Sequence, residues 1–379
     1  MAELLKNSSV FFSDQQLCYA DILPPSEVRA RIEVAILKFL KILCSETPSV
    51  SDLPLIRRKM SNSRVRRGLL TDGSRIFLSH SFYRRSLMKD CSAVSFIRVW
   101  KVMEVCYQIL VLEKRLTQRE LFYKLICDSP SYFMSQPQVN QTIQDLVGLL
   151  RCSRYSLGII ASSRGAVSGR FLKEPNKEVV DCSVWGYTIS GDLNLIQHLV
   201  LKSDARYIIV IEKHAVFQRL TEDCFFNRTP CILITAKGYP DMATRLLLHR
   251  MSREFPGLAI LGLVDWNPAG LAVLCTFKFG SITMGLEAYR YACNVKWLGI
   301  RKDDVENLIP EEALIPLKPR DLQVAKSLAS SEILPDNYKE ELGAMVESGC
   351  RAEIEALYWH GYDFLGRYIE KKIVQSDYI

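Results

Sequence analysis

The sequence predicts an α/β multidomain protein, with a helical N-terminal half and a C-terminal half built on a parallel sheet. Three observations carry that expectation. The 379 residues exceed what one hydrophobic core usually fills. Between Val94 and Leu150 apolar residues recur at helical spacing. Beyond Asn176, apolar runs of strand length (Tyr207 to Ile211, Cys231 to Thr235, Leu258 to Val264) alternate with helical patterns such as Met242 to Met251. Strands that are apolar on both faces belong to a parallel sheet covered on both sides.

Composition narrows the class. An apolar fraction of 48% suffices for packed cores, and a formal net charge of +7 permits a polyanionic partner without requiring one. The 12 cysteines form no Cys-x-x-Cys pair, which argues for reduced thiols and against a structural zinc. Met1 to Asn7 lacks the apolar core of a signal peptide, and the longest apolar runs are too short to span a bilayer, so a soluble protein with no membrane partner is expected.

In chain order, Met1 to Pro25 carries few ordering signals. From Ser26, an N-cap candidate, Val28, Ile32, Ala35, Phe39 and Leu43 share one helical face, which docks either on the chain's own core or on a partner. Residues 1–50 are read as an N-terminal extension with that docking helix, and 51–91 as a basic, Ser-rich, weakly periodic surface linker. Its Arg57, Arg58, Lys59, Arg64, Arg66, Arg67, Arg84, Arg85 and Lys89 suit phosphate contacts, a nuclear import signal or a solvated surface. Val94 to Leu112 reads as a core helix. A short helix from Leu116 to Lys124 follows, then a loop at Pro130 and a helix from Gln138 to Leu150 with Val139, Ile143, Leu146, Val147 and Leu150 inward. Ser156 to Ile160 and Val167 to Leu172 read as a hairpin around Arg164-Gly165. Three helices and a hairpin are the order of a winged-helix DNA-docking module, expected over 92–175. After Pro175-Asn176 the sheet domain, 176–379, closes with helices whose apolar face includes Leu357, Leu365, Ile369 and Ile373.

The candidate chemistry lies at both ends of this layout. Arg119 and Tyr123, four residues apart, share a helical face, so a guanidinium lies beside a phenol. A phenol, with a pKa of about 10, attacks phosphorus given a route for its proton, a cation for the phosphoryl oxygens and a metal nearby. Glu212 and Asp265 end two of the apolar runs, where ligands bind in parallel sheets, and two such acids suit magnesium. Each can equally be a helix cap or a loop residue. Asp265-Trp266-Asn267-Pro268-Ala269-Gly270 is a tight turn that aims side chains 265 and 267 the same way. Lys237-Gly238-Tyr239-Pro240-Asp241 opens a helix, where backbone amides, Lys237 and Tyr239 suit a nucleic-acid backbone or groove, or simply make a turn. His214 is the histidine nearest the acids in sequence.

These stretches together resemble the A subunit of topoisomerase VI and its meiotic relative, the Spo-eleven family. The matching segments are Arg119-Glu120-Leu121-Phe122-Tyr123, Ile209 to Lys213, Thr235 to Asp241 with Thr244-Arg245, Val264 to Pro268, and Glu353 to Leu357, in the family's order. The details look most like the second of the plant meiotic paralogues. The resemblance implies a winged-helix (CAP-like) domain followed by a Toprim-type Rossmann-like domain. It also implies a nuclear, type IIB topoisomerase-like transesterase that initiates meiotic recombination. Tyr123 would attack a DNA phosphodiester and stay joined to the 5′ end, and Arg119 would stabilise the five-coordinate phosphorus. Glu212, Asp265 and, weakly, Asn267 would hold Mg2+; Lys237, Tyr239 and Arg245 would contact DNA. Implied partners are double-stranded DNA, a second A-type subunit in a homodimer or heterodimer, and a topoisomerase VI B-like subunit. No Gly-x-x-x-x-Gly-Lys-Ser/Thr stretch occurs here, so any ATP-driven step falls to that B-like partner.

Two departures from the family pattern matter. Phe122 replaces the first of its paired tyrosines, leaving Tyr132 as a distant rival to Tyr123, and Asn267 replaces its second aspartate. The second departure points to a heterodimer whose other member has the stronger metal site. The alternative is a noncatalytic DNA-binding or scaffold subunit with a degenerate metal site.

Overall fold

The computed structural model describes residues 20–44, 52–57, 63–65, 76–78, 81–86, 90–160, 162–174, 180–184, 186–280, 287, 290–331 and 333–379. They divide into two compact units. The first comprises the described residues up to 160 together with Glu287; the second comprises those from 162 to 280 and from 290 onward. The expected domain junction at 175–176 thus shifts to about residue 161.

The first unit is helical. It contains α1 (Pro25–Leu43), α2 (Asp90–Val111), α3 (Gln118–Asp128) and α4 (Gln136–Leu150). Val28, Ile32 and Ala35 of α1, Val99 and Met103 of α2, Leu121 and Leu125 of α3, and Val139, Ile143 and Leu146 of α4 meet in one core. The α1 face therefore packs into its own unit through its first half, while Ile36, Leu37, Leu40 and Leu43 of its second half are exposed. Arg31 of α1 donates to the carbonyls of Leu150 at 2.8 Å and Arg151 at 3.1 Å, placing a cation on the carbonyl end of α4.

Two sequence expectations are corrected here. The stretch read as a linker contains strands β1 (Asp52–Arg57), β2 (Ser63–Val65), β3 (Ile76–Leu78) and β4 (Ser81–Ser86). Asp52 pairs with Ser86 and Arg57 with Ser81, antiparallel, and Leu55 is buried. Short strands paired across a long gap leave little periodicity in either segment, which is why the stretch looks like a basic, Ser-rich linker. The expected hairpin is also absent among the described residues. In its place β5 (Leu116–Thr117) pairs in parallel with β6 (Ile159–Ile160), and β7 (Ala166–Gly169) joins the sheet of the second unit. Gly165 is not a turn residue of that hairpin; a Cβ there would collide with Thr244 Oγ1.

The second unit is centred on a six-stranded sheet. Its parallel strands are β12 (Tyr207–Ile211), β13 (Cys231–Thr235), β14 (Ala259–Leu263) and β15 (Val295–Gly299). With β7 and β10 (Tyr187–Thr188) they run in the order β10-β7-β13-β12-β14-β15, with β7 and β10 antiparallel to their neighbours, while β8 (Leu172–Glu174), β9 (Val180–Asp181) and β11 (Val200–Lys202) form a separate three-stranded sheet. Ile211 lies level with Thr235 on one side and Leu263 on the other, so the residues after three strands emerge together. Against the sheet pack α6 (His214–Glu222) and α9 (Pro268–Phe279), and the unit also holds α8 (Met242–Glu254) and α13 (Phe364–Val374). Near the sheet, α11 (Pro319–Ala329) and α12 (Asp336–Ser348) complete the unit with shorter helices α5 (Leu193–His198), α7 (Phe225–Arg228) and α10 (Lys302–Leu308). No helix among the described residues is long and apolar enough to cross a membrane.

Candidate active site

The first unit displays the phenol. Thr117 caps α3 by accepting from the Glu120 amide at 3.2 Å, while the Glu120 carboxylate accepts from the Thr117 amide at 2.6 Å. This capping box fixes the start of the helix, and Leu121 and Leu125 bury its inner face. Tyr123 therefore points outward, 53% exposed, with the Arg119 guanidinium 5.9 Å from its ring centroid. Tyr132 instead packs against the core of the unit, and its carbonyl accepts from Arg98 Nε at 2.6 Å. Of the two tyrosines, Tyr123 is the more exposed. Replacing Thr117 by Ala is expected to cost about 1 kcal/mol through loss of the cap, measurable by urea denaturation.

The second unit assembles the acids. Glu212 follows β12 and Asp265 follows β14, and the Asp265 amide donates to Glu212 Oε2 at 3.0 Å. Asp265 Oδ1 accepts from the Ile354 amide at 2.9 Å and lies 3.2 Å from Lys213 Nζ. The backbone amides fall on Glu212 Oε2 and Asp265 Oδ1, so the second oxygen of each carboxylate is the one a cation would take. Gly270 keeps the space open, since a Cβ there would press on the Asp265 carbonyl and lie 3.1 Å from Glu212 Oε2. Burial and the charge of Asp265 push Glu212 up to about 7. Burial likewise pushes Asp265 up to about 6, against the pull of Lys213.

This placement gives a pH prediction. In the metal-free protein, Glu212 holds a proton in the fold that the unfolded chain releases from the ordinary carboxylate range upward. Stability is then lost as pH rises toward about 7. We expect the melting temperature to fall by on the order of 5 °C between pH 5 and pH 8. Added Mg2+ should restore more of it at pH 8 than at pH 5, and Glu212→Gln should flatten the dependence.

The other expected ligands and contacts divide. Asn267 is 5% exposed, and its Oδ1 accepts from the Gly270 amide at 2.7 Å as the N-cap of α9. Its side-chain oxygen is thus spent on the helix. Among the described residues no three His, Cys, Asp or Glu side chains are grouped to hold a metal. Lys237 and Gly238 adopt left-handed backbones (φ 58° and 100°). Their amides are engaged, by Thr235 Oγ1 at 3.1 Å and by the Glu212 carbonyl at 2.9 Å, so they do not face a phosphate. The Lys237 side chain and the Tyr239 ring are exposed. Arg245 is a correction: it is 2% exposed, beside the Tyr291 ring at 5.2 Å, and serves the interior of the unit instead of a DNA surface. His214 stacks on Phe217.

Sequence reasoning assigned no role to Lys213, Glu353 or Glu355. The structure joins them: Lys213 Nζ lies 2.7 Å from Glu353 Oε2 and contacts Glu355 Oε2. Burial alone would lower the Lys213 pKa, but Asp265, Glu353 and Glu355 reverse this and raise it. The hydrogen bond from Lys213 holds Glu353 below its ordinary value. Trp266 and Ala352 exchange backbone hydrogen bonds at 2.9 and 3.1 Å, stitching the turn after β14 to this acidic segment. The Glu-x-Glu spacing was visible in the sequence, but the bridge to residue 266 was not.

A phenol is exposed on one unit and two strand-end acids meet on the other, and comparison with known proteins places the chain among topoisomerase-like DNA-cleaving enzymes. The chain belongs to the family that unites Spo11 with the A subunit of topoisomerase 6. The family model for its Toprim domain matches residues 207–373, and the type IIB DNA topoisomerase model matches 94–159. Meiotic recombination protein SPO11-2 of Arabidopsis thaliana is 66% identical over 377 residues, covering 98% of both chains. Its namesake from Oryza sativa subsp. indica is 60% identical over 378 residues, with the same 98% coverage of both. The A subunit of Arabidopsis thaliana DNA topoisomerase 6 is 33% identical, covering 78% of this chain and 70% of its own.

Proposed function

We propose that Tyr123 is the nucleophile of this chain and that Glu212 and Asp265 hold Mg2+ beside the phosphate. The chain is a topoisomerase-like DNA-cleaving enzyme of meiotic double-strand-break formation. The observation that carries the residue assignment is the exposed Tyr123 beside Arg119 on a capped helix. The phenolic oxygen forms a bond to phosphorus as the bond to the 3′ oxygen breaks. The enzyme remains on the 5′ end, and the departing oxygen takes up a proton. Because one phosphoester replaces another, cleavage itself consumes no ATP. The phenolic proton passes to water, which reaches Tyr123 freely. Arg119 offsets charge on the phosphoryl oxygens. A divalent cation, when bound, supplies Lewis-acid stabilisation to those oxygens.

The first unit, with α3 facing outward, serves as the CAP-like winged-helix module that docks double-stranded DNA, and Lys237 and Tyr239 add contacts from the second. Two A-type subunits, one per strand, make the break. With Asn267 in place of an aspartate, a heterodimer with a paralogue bearing the stronger metal site fits best. The exposed Ile36, Leu37, Leu40 and Leu43 of α1 are the dock for a B-like partner, and the work is nuclear. The engaged Asn267 oxygen also supports a second reading, a noncatalytic DNA-binding subunit. Covalent capture of 3′-end-labelled duplex in the presence of Mg2+ separates the two, because only a nucleophilic chain becomes joined to DNA.

A further inference from the structure

We infer that the Lys213 ammonium is a built-in cation in the second-metal half of this site. The chain then takes one divalent ion, between Glu212 and Asp265, where the Asp-x-Asp pattern would take two. The inference rests on the reading of Glu212 and Asp265 as metal ligands given above. Lys213 ends the stretch between β12 and α6, at the N-cap position of α6. From there its ammonium reaches Asp265 Oδ1 at 3.2 Å and Glu353 Oε2 at 2.7 Å and contacts Glu355 Oε2. Three carboxylates turn to one cation that the chain itself supplies, and among the described residues no group of three acids is left to hold a metal. Arg351 lies 3.9 Å from Glu353 but closer to Asp321, at 3.6 Å, so it offsets Glu353 only in part.

Two independent features point the same way. The residue that would complete a second ion's ligand set, Asn267, is uncharged and has its oxygen turned to the Gly270 amide. Counting Glu212, Asp265, Glu353 and Glu355 against Lys213, the ionised cluster carries a formal charge of −3. One divalent ion leaves −1, whereas a second would leave an excess of positive charge. Without the ammonium the cluster would carry −4, which two divalent ions balance. Lys213 is thus a positioning residue: it fixes where the single ion sits by occupying the alternative.

The test is Mn2+ binding by the full chain, counted by electron paramagnetic resonance in the absence of DNA, with circular dichroism to confirm folding. Wild type should bind one ion per chain, Lys213→Met two, and Lys213→Arg one. Glu353→Gln combined with Glu355→Gln leaves Glu212 and Asp265 against Lys213, a formal charge of −1, and should bind its single ion more weakly than wild type does. Two ions in wild type, or one in a folded Lys213→Met chain, overturns the inference. Should Lys213→Met fail to fold, Lys213→Gln, which also removes the ammonium, takes its place and should bind two. Glu212→Gln distinguishes the underlying reading. If it leaves the wild-type ion bound, the ligand assignment itself is wrong, whatever Lys213 does.

Discussion

Tyr123→Phe is expected to abolish covalent capture of DNA, by on the order of 10^3-fold or more, because the substitution removes the oxygen proposed to bond to phosphorus. The ring stays, so packing should not change. Tyr123 is exposed and its hydroxyl makes no hydrogen bond among the described residues, which keeps the stability change within about 0.5 kcal/mol. DNA affinity, set chiefly by backbone contacts, should hold. Tyr132→Phe is the control: with its side chain against the core, capture should persist. The measurement is the fraction of 3′-end-labelled duplex retained by denatured protein. Capture by the Tyr123→Phe variant at the wild-type level would remove Tyr123 from the mechanism.

Asp265→Asn is the second large effect. The amide keeps an oxygen for the Ile354 amide, so the turn should hold its shape. The negative charge is lost, from the cation and from Lys213 alike. We expect capture to fall on the order of 10^2 to 10^3-fold, with weakened Mn2+ binding and a melting temperature close to wild type. Asp265→Ala should behave differently. It also strands the buried Ile354 amide, costing about 1–3 kcal/mol, so loss of stability with Ala but not Asn would separate scaffolding from metal binding.

Much of this site was legible in the sequence, for identifiable reasons. Glu212 and Asp265 end uninterrupted apolar runs, and such runs become adjacent parallel strands, so their ends had to converge. The outward direction of Tyr123 follows from its helical phase relative to Leu121 and Leu125. Asn267-Pro268 followed by Gly270 is itself a helix-start signature, and attention to it would have anticipated the cap. Other features were not readable. Arg245 is a DNA contact only by the family resemblance of Thr244-Arg245, and only the packing around Tyr291 shows it inside. The pairing of Asp52–Arg57 with Ser81–Ser86 depends on register between distant segments. Glu353 and Glu355 reach Lys213 from 140 and 142 positions further along the chain.

The backbone stitch between Trp266 and Ala352 bears on when the acid pair can form. The hydrogen bond that holds the Asp265 carboxylate spans 89 positions of chain. A nascent polypeptide halted before residue 354 would lack the amide that orients this carboxylate, so the acid pair takes its final shape only late in synthesis.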